Sequence, residues 1–205
     1  MTDLQERIRN RKARAGVIGL GYVGLPLAVE FARAGLDVTG FDVDAARVDD
    51  VNQGRSYIVD MSDKEMREIL PSGRLRATTD FAQLADMDTI NICVPTPLRK
   101  TKDPDLTYIV SAVRSIRDHI RPGQLVVLES TTYPGTTEEV VQPILEESGL
   151  RAGRDFHLAF SPERIDPGNP TYHTRNIPKV VGGHTPACSA AAQTLYEQCI
   201  DTVVP

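Results

Sequence analysis

Gly19, Gly21 and Gly24 stand in the pattern G-x-G-x-x-G within Gly19-Leu20-Gly21-Tyr22-Val23-Gly24. The residues before it, Ala15 to Ile18, form an apolar strand-like run, and those after it, Leu25 to Ala34, read as a helix. At a strand-to-helix junction each glycine has its own task. The first permits a tight turn, the second lets backbone approach a pyrophosphate, and the third lets the helix pack close to the strand. The helix N-terminus adds free N–H groups and a partial positive charge that favour phosphates. A dinucleotide is the ligand such a turn holds. Asp42 lies eighteen residues beyond Gly24, at the end of a second strand-like run, Leu36 to Phe41. That is close to the spacing of the acid that accepts hydrogen bonds from an adenosine ribose. A carboxylate there repels the extra phosphate of NADP, because two like charges about 4 Å apart cost roughly 1 kcal/mol in water and roughly 4 at a protein surface. NAD is the favoured cofactor. The other task open to Asp42 is to cap the helix that starts near Asp44.

Three further loops carry groups with chemistry. In Asn91-Ile92-Cys93-Val94-Pro95-Thr96-Pro97 two prolines fix the chain as it leaves a strand, which would hold Thr96 at the cofactor edge; an ordinary proline-rich turn has the same composition. The hydroxyls in Glu129-Ser130-Thr131-Thr132-Tyr133-Pro134-Gly135-Thr136-Thr137 could bond a nicotinamide ribose, a carboxamide or a reacting water, or cap a helix. Glu163 and Arg164, in Ser161-Pro162-Glu163-Arg164-Ile165-Asp166-Pro167-Gly168-Asn169-Pro170, place an acid beside a base. Glu163 could orient or deprotonate water. Arg164 could meet a phosphate or carboxylate through its fork of donors. A surface ion pair between the two is the plain alternative.

Alternating strand-like and helix-like runs must position these loops. Strands are expected at 15–19, 36–41, 74–78, 88–94, 124–129, 156–160 and 177–182, and helices at 3–12, 22–34, 44–52, 62–70, 80–85, 106–119, 134–148 and 185–199. The alternation predicts an α/β fold: a Rossmann-like, doubly wound, mainly parallel sheet with helices on both faces. Ligands of such sheets sit at the carboxyl ends of the strands, where all the loops above fall.

With 205 residues, the chain can bury a good core as one large domain, or as one domain plus part of another. A net charge of −5 and no basic cluster with interleaved aromatics argue against a nucleic-acid surface. The basic residues Arg7, Arg9, Arg11, Lys12 and Arg14 read as a solvated helix face. The charged N-terminus is no signal peptide and no apolar run is long enough to span a membrane, so a cytoplasmic location is the default. Of the three cysteines, Cys93 sits in an apolar run as a buried small hydrophobe, and Cys188 and Cys199 lack metal-ligand spacing, so no metal site is expected.

GLGYVGLPLA (19–28), CVPTPL (93–98), DPDLTY (103–108), ESTTYPGTTEE (129–139) and SPERIDPGN (161–169) occur in this order. Together they resemble the UDP-glucose/GDP-mannose dehydrogenase family, the nucleotide-sugar 6-dehydrogenases. SPERIDPGN, the leading helix and Pro178-Lys179-Val180-Val181-Gly182-Gly183 are most similar to the UDP-N-acetylglucosamine 6-dehydrogenase branch; Pro167 stands where UDP-glucose dehydrogenases usually have a second glutamate. The resemblance implies oxidation of a sugar C6 alcohol to a carboxylate in two NAD-dependent steps, through a cysteine-bound thioester. It implies that Asp42 and Arg47 hold the adenosine half of NAD, that Tyr22 and Val23 lie at the pyrophosphate, and that Pro95, Thr96 and Thr131 face the nicotinamide half. Glu163 would activate water for thioester hydrolysis, with Thr131 beside it, and Arg164 and Ile165 would contact the UDP-sugar.

The resemblance also implies that residues 1–205 are an N-terminal NAD-binding domain. The nucleophilic cysteine, a central helix and a C-terminal UDP-binding domain would lie outside it, and none of Cys93, Cys188 or Cys199 has the nucleophile's glycine-rich flanks. The chain alone is then expected to bind NAD without turning over a UDP-sugar, and to be monomeric where the longer enzyme is a homo-oligomer. UDP-glucose and UDP-N-acetylmannosamine dehydrogenases, a self-sufficient hydroxyacid-type dehydrogenase, and a non-catalytic NAD-binding module are the alternatives.

Overall fold

The structure is a computed structural model and describes residues 2–59, 61–100, 104–164 and 174–205. Its frame is a seven-stranded sheet. The strands are β1 (Arg14–Ile18), β2 (Asp37–Phe41), β3 (Leu75–Thr78), β4 (Thr89–Ile92), β5 (Leu125–Leu128), β6 (His157–Phe160) and, after a short strand β7 (Lys179–Val180), β8 (Gly182–Gly183). They lie in the order β3-β2-β1-β4-β5-β6-β8. The first six run parallel, with Ile18 opposite both Phe41 and Ile92, and β8 returns antiparallel to β6. This is the doubly wound order of a dinucleotide fold, with the strand order reversing between β1 and β4.

The residue types explain the layers. Every residue of β4 and β5 is buried, as expected for strands covered on both faces. On one face the helices α1 (Asp3–Arg9), α2 (Gly24–Arg33) and α7 (Pro186–Tyr196) pack through Ile8, Phe31 and Leu195. On the other, α5 (Thr107–Arg117) supplies Ile109, Val113 and Ile116 against Ile90, Val126 and Leu158. Each such fully buried side chain stabilises the fold by about 1.5–3 kcal/mol. The smaller helices α3 (Ala45–Asn52), α4 (Asp63–Ile69) and α6 (Gln142–Glu146) complete the layers.

The differences from the sequence reading have local causes. The first helix stops at Arg9 because Arg11 turns left-handed, at φ 58°. Residues 81–86 form a 3₁₀ helix capped by Asp80. The expected helix 134–148 opens with a π turn, Thr137–Val141, before α6, and Pro143, which has no N–H to give, sits just after the turn. The expected strand 177–182 is divided at Val181. Its first part, β7, leaves the main sheet and pairs in parallel with β9 (Val203–Val204), a strand not foreseen at all. The basic N-terminal stretch is not wholly solvated either. Arg7 reaches across the amino end of the sheet to buried Asp88 at 2.7 Å, which Arg121 also meets at 2.8 Å.

Candidate functional site

The loops singled out in the sequence meet at the carboxyl edge of the sheet, insofar as they are described. After β1 the chain turns at Gly19, whose φ of 89° lies in the left-handed region that favours glycine. A Cβ at Gly24 would sit 1.8 Å from the Gly19 carbonyl oxygen, so α2 can start this close to the strand only on a glycine. Gly21 is different. A Cβ there would meet no protein atom within 4 Å. No packing demands a glycine at that position, whereas a pyrophosphate laid against the backbone would. Tyr22 is half exposed beside it, and Val23 is the N-cap of α2.

Asp42 leaves β2 next to this turn and is buried. Its Oδ2 accepts the Leu20 N–H at 2.9 Å and its Oδ1 the Asp44 N–H at 3.0 Å. The cap of α3 is Asp44, which accepts from Ala46 N–H, so Asp42 is not spent on capping. A carboxylate has about four lone-pair sites, and acceptor capacity remains for two ribose hydroxyls. Arg47 lies 3.6 Å from Asp42 and 3.7 Å from Asp44, with its guanidinium over the Tyr57 ring. The Tyr57 hydroxyl donates to the Leu20 carbonyl at 2.6 Å. Burial and the Asp42 charge push the Tyr57 phenol well above its ordinary range, so it stays a donor. Tyr57 was not foreseen; an aromatic in the loop between α3 and α4 is the only signal it leaves.

Beyond β4 the second group of loops is cross-tied. The Thr96 hydroxyl donates to the Thr131 carbonyl at 2.7 Å, and Ser130 donates to the Val94 carbonyl at 2.7 Å. Pro95 and Thr131 are exposed at this edge. Thr132 and Thr136 bond one another at 2.7 Å and Thr136 donates to the Tyr133 carbonyl at 2.9 Å, so the Thr136 hydroxyl does not cap the turn that opens at Thr137. Glu163 and Arg164 do not form the side-chain ion pair considered above. Glu163 Oε1 accepts the Arg164 backbone N–H at 2.8 Å, and its Oε2 lies 3.4 Å from Lys179 Nζ. The Arg164 guanidinium donates to the Pro178 carbonyl at 3.3 Å. Ile165, expected at the substrate, lies outside the described residues.

Beneath these loops is a buried polar cluster that sequence reasoning did not assign to the site. Glu129 is fully buried. Its Oε1 accepts from Asn91 Nδ2 and from the Tyr196 hydroxyl, each at 2.7 Å, and its Oε2 accepts from Lys179 Nζ at 2.6 Å. Burial alone would lower the Lys179 ammonium; Glu129 and then Glu163 outweigh it and hold the group above its ordinary value. Burial and the Glu129 charge keep the Cys93 thiol protonated, so it serves as packing. The signal was a charged residue at the end of one apolar run, Glu129, and another inside a second, Lys179. Among the described residues no group of three or more His, Cys, Asp or Glu could hold a metal ion, and no helix is long and apolar enough to cross a membrane.

Fold and site together define a Rossmann-type dinucleotide-binding domain. Residues 13–200 match the model of the UDP-glucose/GDP-mannose dehydrogenase family, NAD binding domain, and the chain belongs to that family. NAD is its cofactor. The UDP-N-acetyl-D-glucosamine 6-dehydrogenase of Pseudomonas aeruginosa is 40% identical over 188 residues, which are 91% of this chain and 44% of that protein. The UDP-N-acetyl-D-mannosamine dehydrogenase of Pyrococcus horikoshii is 36% identical over 188 residues, 91% of this chain and 45% of that one. The crystal structure of the NDP-N-acetyl-D-galactosaminuronic acid dehydrogenase of Methanosarcina mazei Go1 superposes with a TM-score of 0.89 at 33% identity, covering 100% of this chain and 46% of that one. The chain thus spans less than half the length of these relatives.

Proposed function

We propose that this chain is the NAD-holding domain of a nucleotide-sugar 6-dehydrogenase that oxidises the C6 hydroxyl of a UDP-sugar to a carboxylate. The observation that carries the cofactor half of this reading is the pairing of Gly21 with Asp42: backbone with open space above it, and a buried carboxylate tied to the same turn. Asp42 accepts from the adenosine ribose, and Arg47 flanks it. Tyr22 and Val23 bring the helix N-terminus to the pyrophosphate. Pro95, Thr96 and Thr131 form the wall of the nicotinamide half. NAD, when bound, supplies the hydride acceptor, and two equivalents are consumed because the alcohol-to-acid change removes four electrons. Glu163 takes a proton from the water whose oxygen enters the carboxylate. Arg164 and Ile165 meet the sugar nucleotide.

The nucleophilic cysteine belongs to a second half of the enzyme, together with a UDP-binding domain and the main dimer contacts. This polypeptide alone therefore binds NAD and forms no NADH from any UDP-sugar. UDP-N-acetylglucosamine is the preferred substrate, on the SPERIDPGN loop and on the 40% identity to the Pseudomonas aeruginosa enzyme. Titration calorimetry with NADH and NADPH tests the cofactor assignment. Wild type should prefer NADH, and Asp42→Ala should weaken NADH by tenfold or more, since hydrogen bonds to a charged acceptor are worth about 1.5–3 kcal/mol. Unchanged NADH affinity in Asp42→Ala would remove Asp42 from the ribose.

A further inference from the structure

We propose that Lys179 is a positioning residue: anchored by buried Glu129, it holds the Glu163 carboxylate in place at the carboxyl edge of the sheet. The inference rests on the reading of Glu163 as the residue that works on water.

Glu129 has little freedom to move. Asn91 from β4 and Tyr196 from α7 hold one of its oxygens, and Lys179 from β7 takes the other. Lys179 is equally confined. Its side chain is 6% exposed, and its ammonium lies 5.1 Å from the centre of the Tyr196 ring. The ammonium therefore stands at a fixed point, 3.4 Å from Glu163 Oε2. The other Glu163 oxygen takes the Arg164 N–H at 2.8 Å. Glu163 is thus gripped from inside the protein at one oxygen and by its own loop at the other.

Charge explains why a lysine is needed. Glu129 and Glu163 both lie within reach of one ammonium, and without it two carboxylates would face each other across the cluster. Stability alone does not call for the arrangement, since a buried ion pair is often no better than apolar residues of the same volume. A pair placed under a reactive carboxylate also fixes where that carboxylate sits, and rigid support of this kind is what a proton-transfer group requires.

The test reads Glu163 directly in protein labelled with carboxyl-¹³C glutamate, with the resonance assigned through Glu163→Gln, alongside amide exchange at Arg164. Lys179→Met alone strands the Glu129 charge and can unfold the chain. The deciding variant is therefore Glu129→Gln combined with Lys179→Met, which removes both buried charges together. In that double variant the Glu163 resonance should move and Arg164 exchange should quicken by about tenfold, while the amides of Val126 and Val127 in β5 keep their protection. Lys179→Arg should retain the slow exchange at Arg164. An unmoved Glu163 resonance with unchanged Arg164 exchange in the double variant overturns the proposal. So does a loss of protection spread equally through β5, which marks a merely structural pair. Adding NAD to wild type separates the underlying reading: if the Glu163 resonance ignores NAD, Glu163 is not at the cofactor edge, whatever Lys179 does to it.

Discussion

On the side of β1 and β2 the carboxyl edge of the sheet is made mostly of backbone: a turn of three glycines, the start of α2, and the carboxylate of Asp42, tied to Leu20 N–H with Arg47 beside it. On the side of β4 to β7 it is made of side chains. Asn91, Glu129, Lys179 and Tyr196 come from four separate segments, up to 105 residues apart in sequence, to make one cluster. The first side can be built by a short stretch of chain, because the groups it offers are peptide N–H groups and the absence of Cβ atoms. On the function proposed, the second has to hold the Glu163 carboxylate still, and only a packed interior does that.

The two sides should fail differently. Lys179→Met should be the most damaging single change on the side-chain side, costing about 3–5 kcal/mol by leaving Glu129 buried without its cation. Urea unfolding measures it, and restored stability in the double variant with Glu129→Gln would show that the stranded charge is the cause. Gly24→Ala is the corresponding break on the backbone side. Its Cβ would lie 1.8 Å from a carbonyl oxygen, so α2 must shift, at a cost of about 3 kcal/mol with loss of NADH binding. Wild-type stability in Gly24→Ala would contradict the close packing described.

A pH-dependent effect sharpens the contrast at the start of α7. Burial raises the Cys188 thiol, but the His157 side chain, Thr185 and the backbone N–H groups of Leu158 and Thr185 together outweigh it and bring it down to about 6 from an ordinary 9.0. The folded chain then carries fewer protons than the unfolded chain between these values, so stability should rise with pH from about 6 to about 9 and be lost as pH falls through 6. Cys188→Ala should flatten that slope in pH-dependent urea melts. A slope that persists would assign it to other groups.

The same contrast governs how much the sequence revealed. The glycine turn and Asp42 were legible because their spacing is a property of one βαβ unit, and the sheet order followed from alternating runs. Pro95, Thr96 and Thr131 were legible as loop residues at strand ends. Lys179 was not, because it looks like a polar residue in a weak strand until β7 is seen to leave the main sheet for β9. Tyr196 reads as an ordinary core position of α7, and only the fold places its hydroxyl on Glu129. Glu163 could be named from its loop, but its partner could not.

Gly21→Ala tests the central claim most directly, because Gly21 is the one fingerprint glycine that the protein's own packing does not require. Melting temperature and NADH affinity should be measured on the same sample. The predicted result is a melting temperature within a degree or two of wild type, since a methyl added into open space at this half-buried position displaces no protein atom and stays within about 0.5 kcal/mol, together with a loss of NADH binding. Wild-type NADH affinity in Gly21→Ala would contradict the account, for the cofactor's pyrophosphate would then lie somewhere other than on this turn.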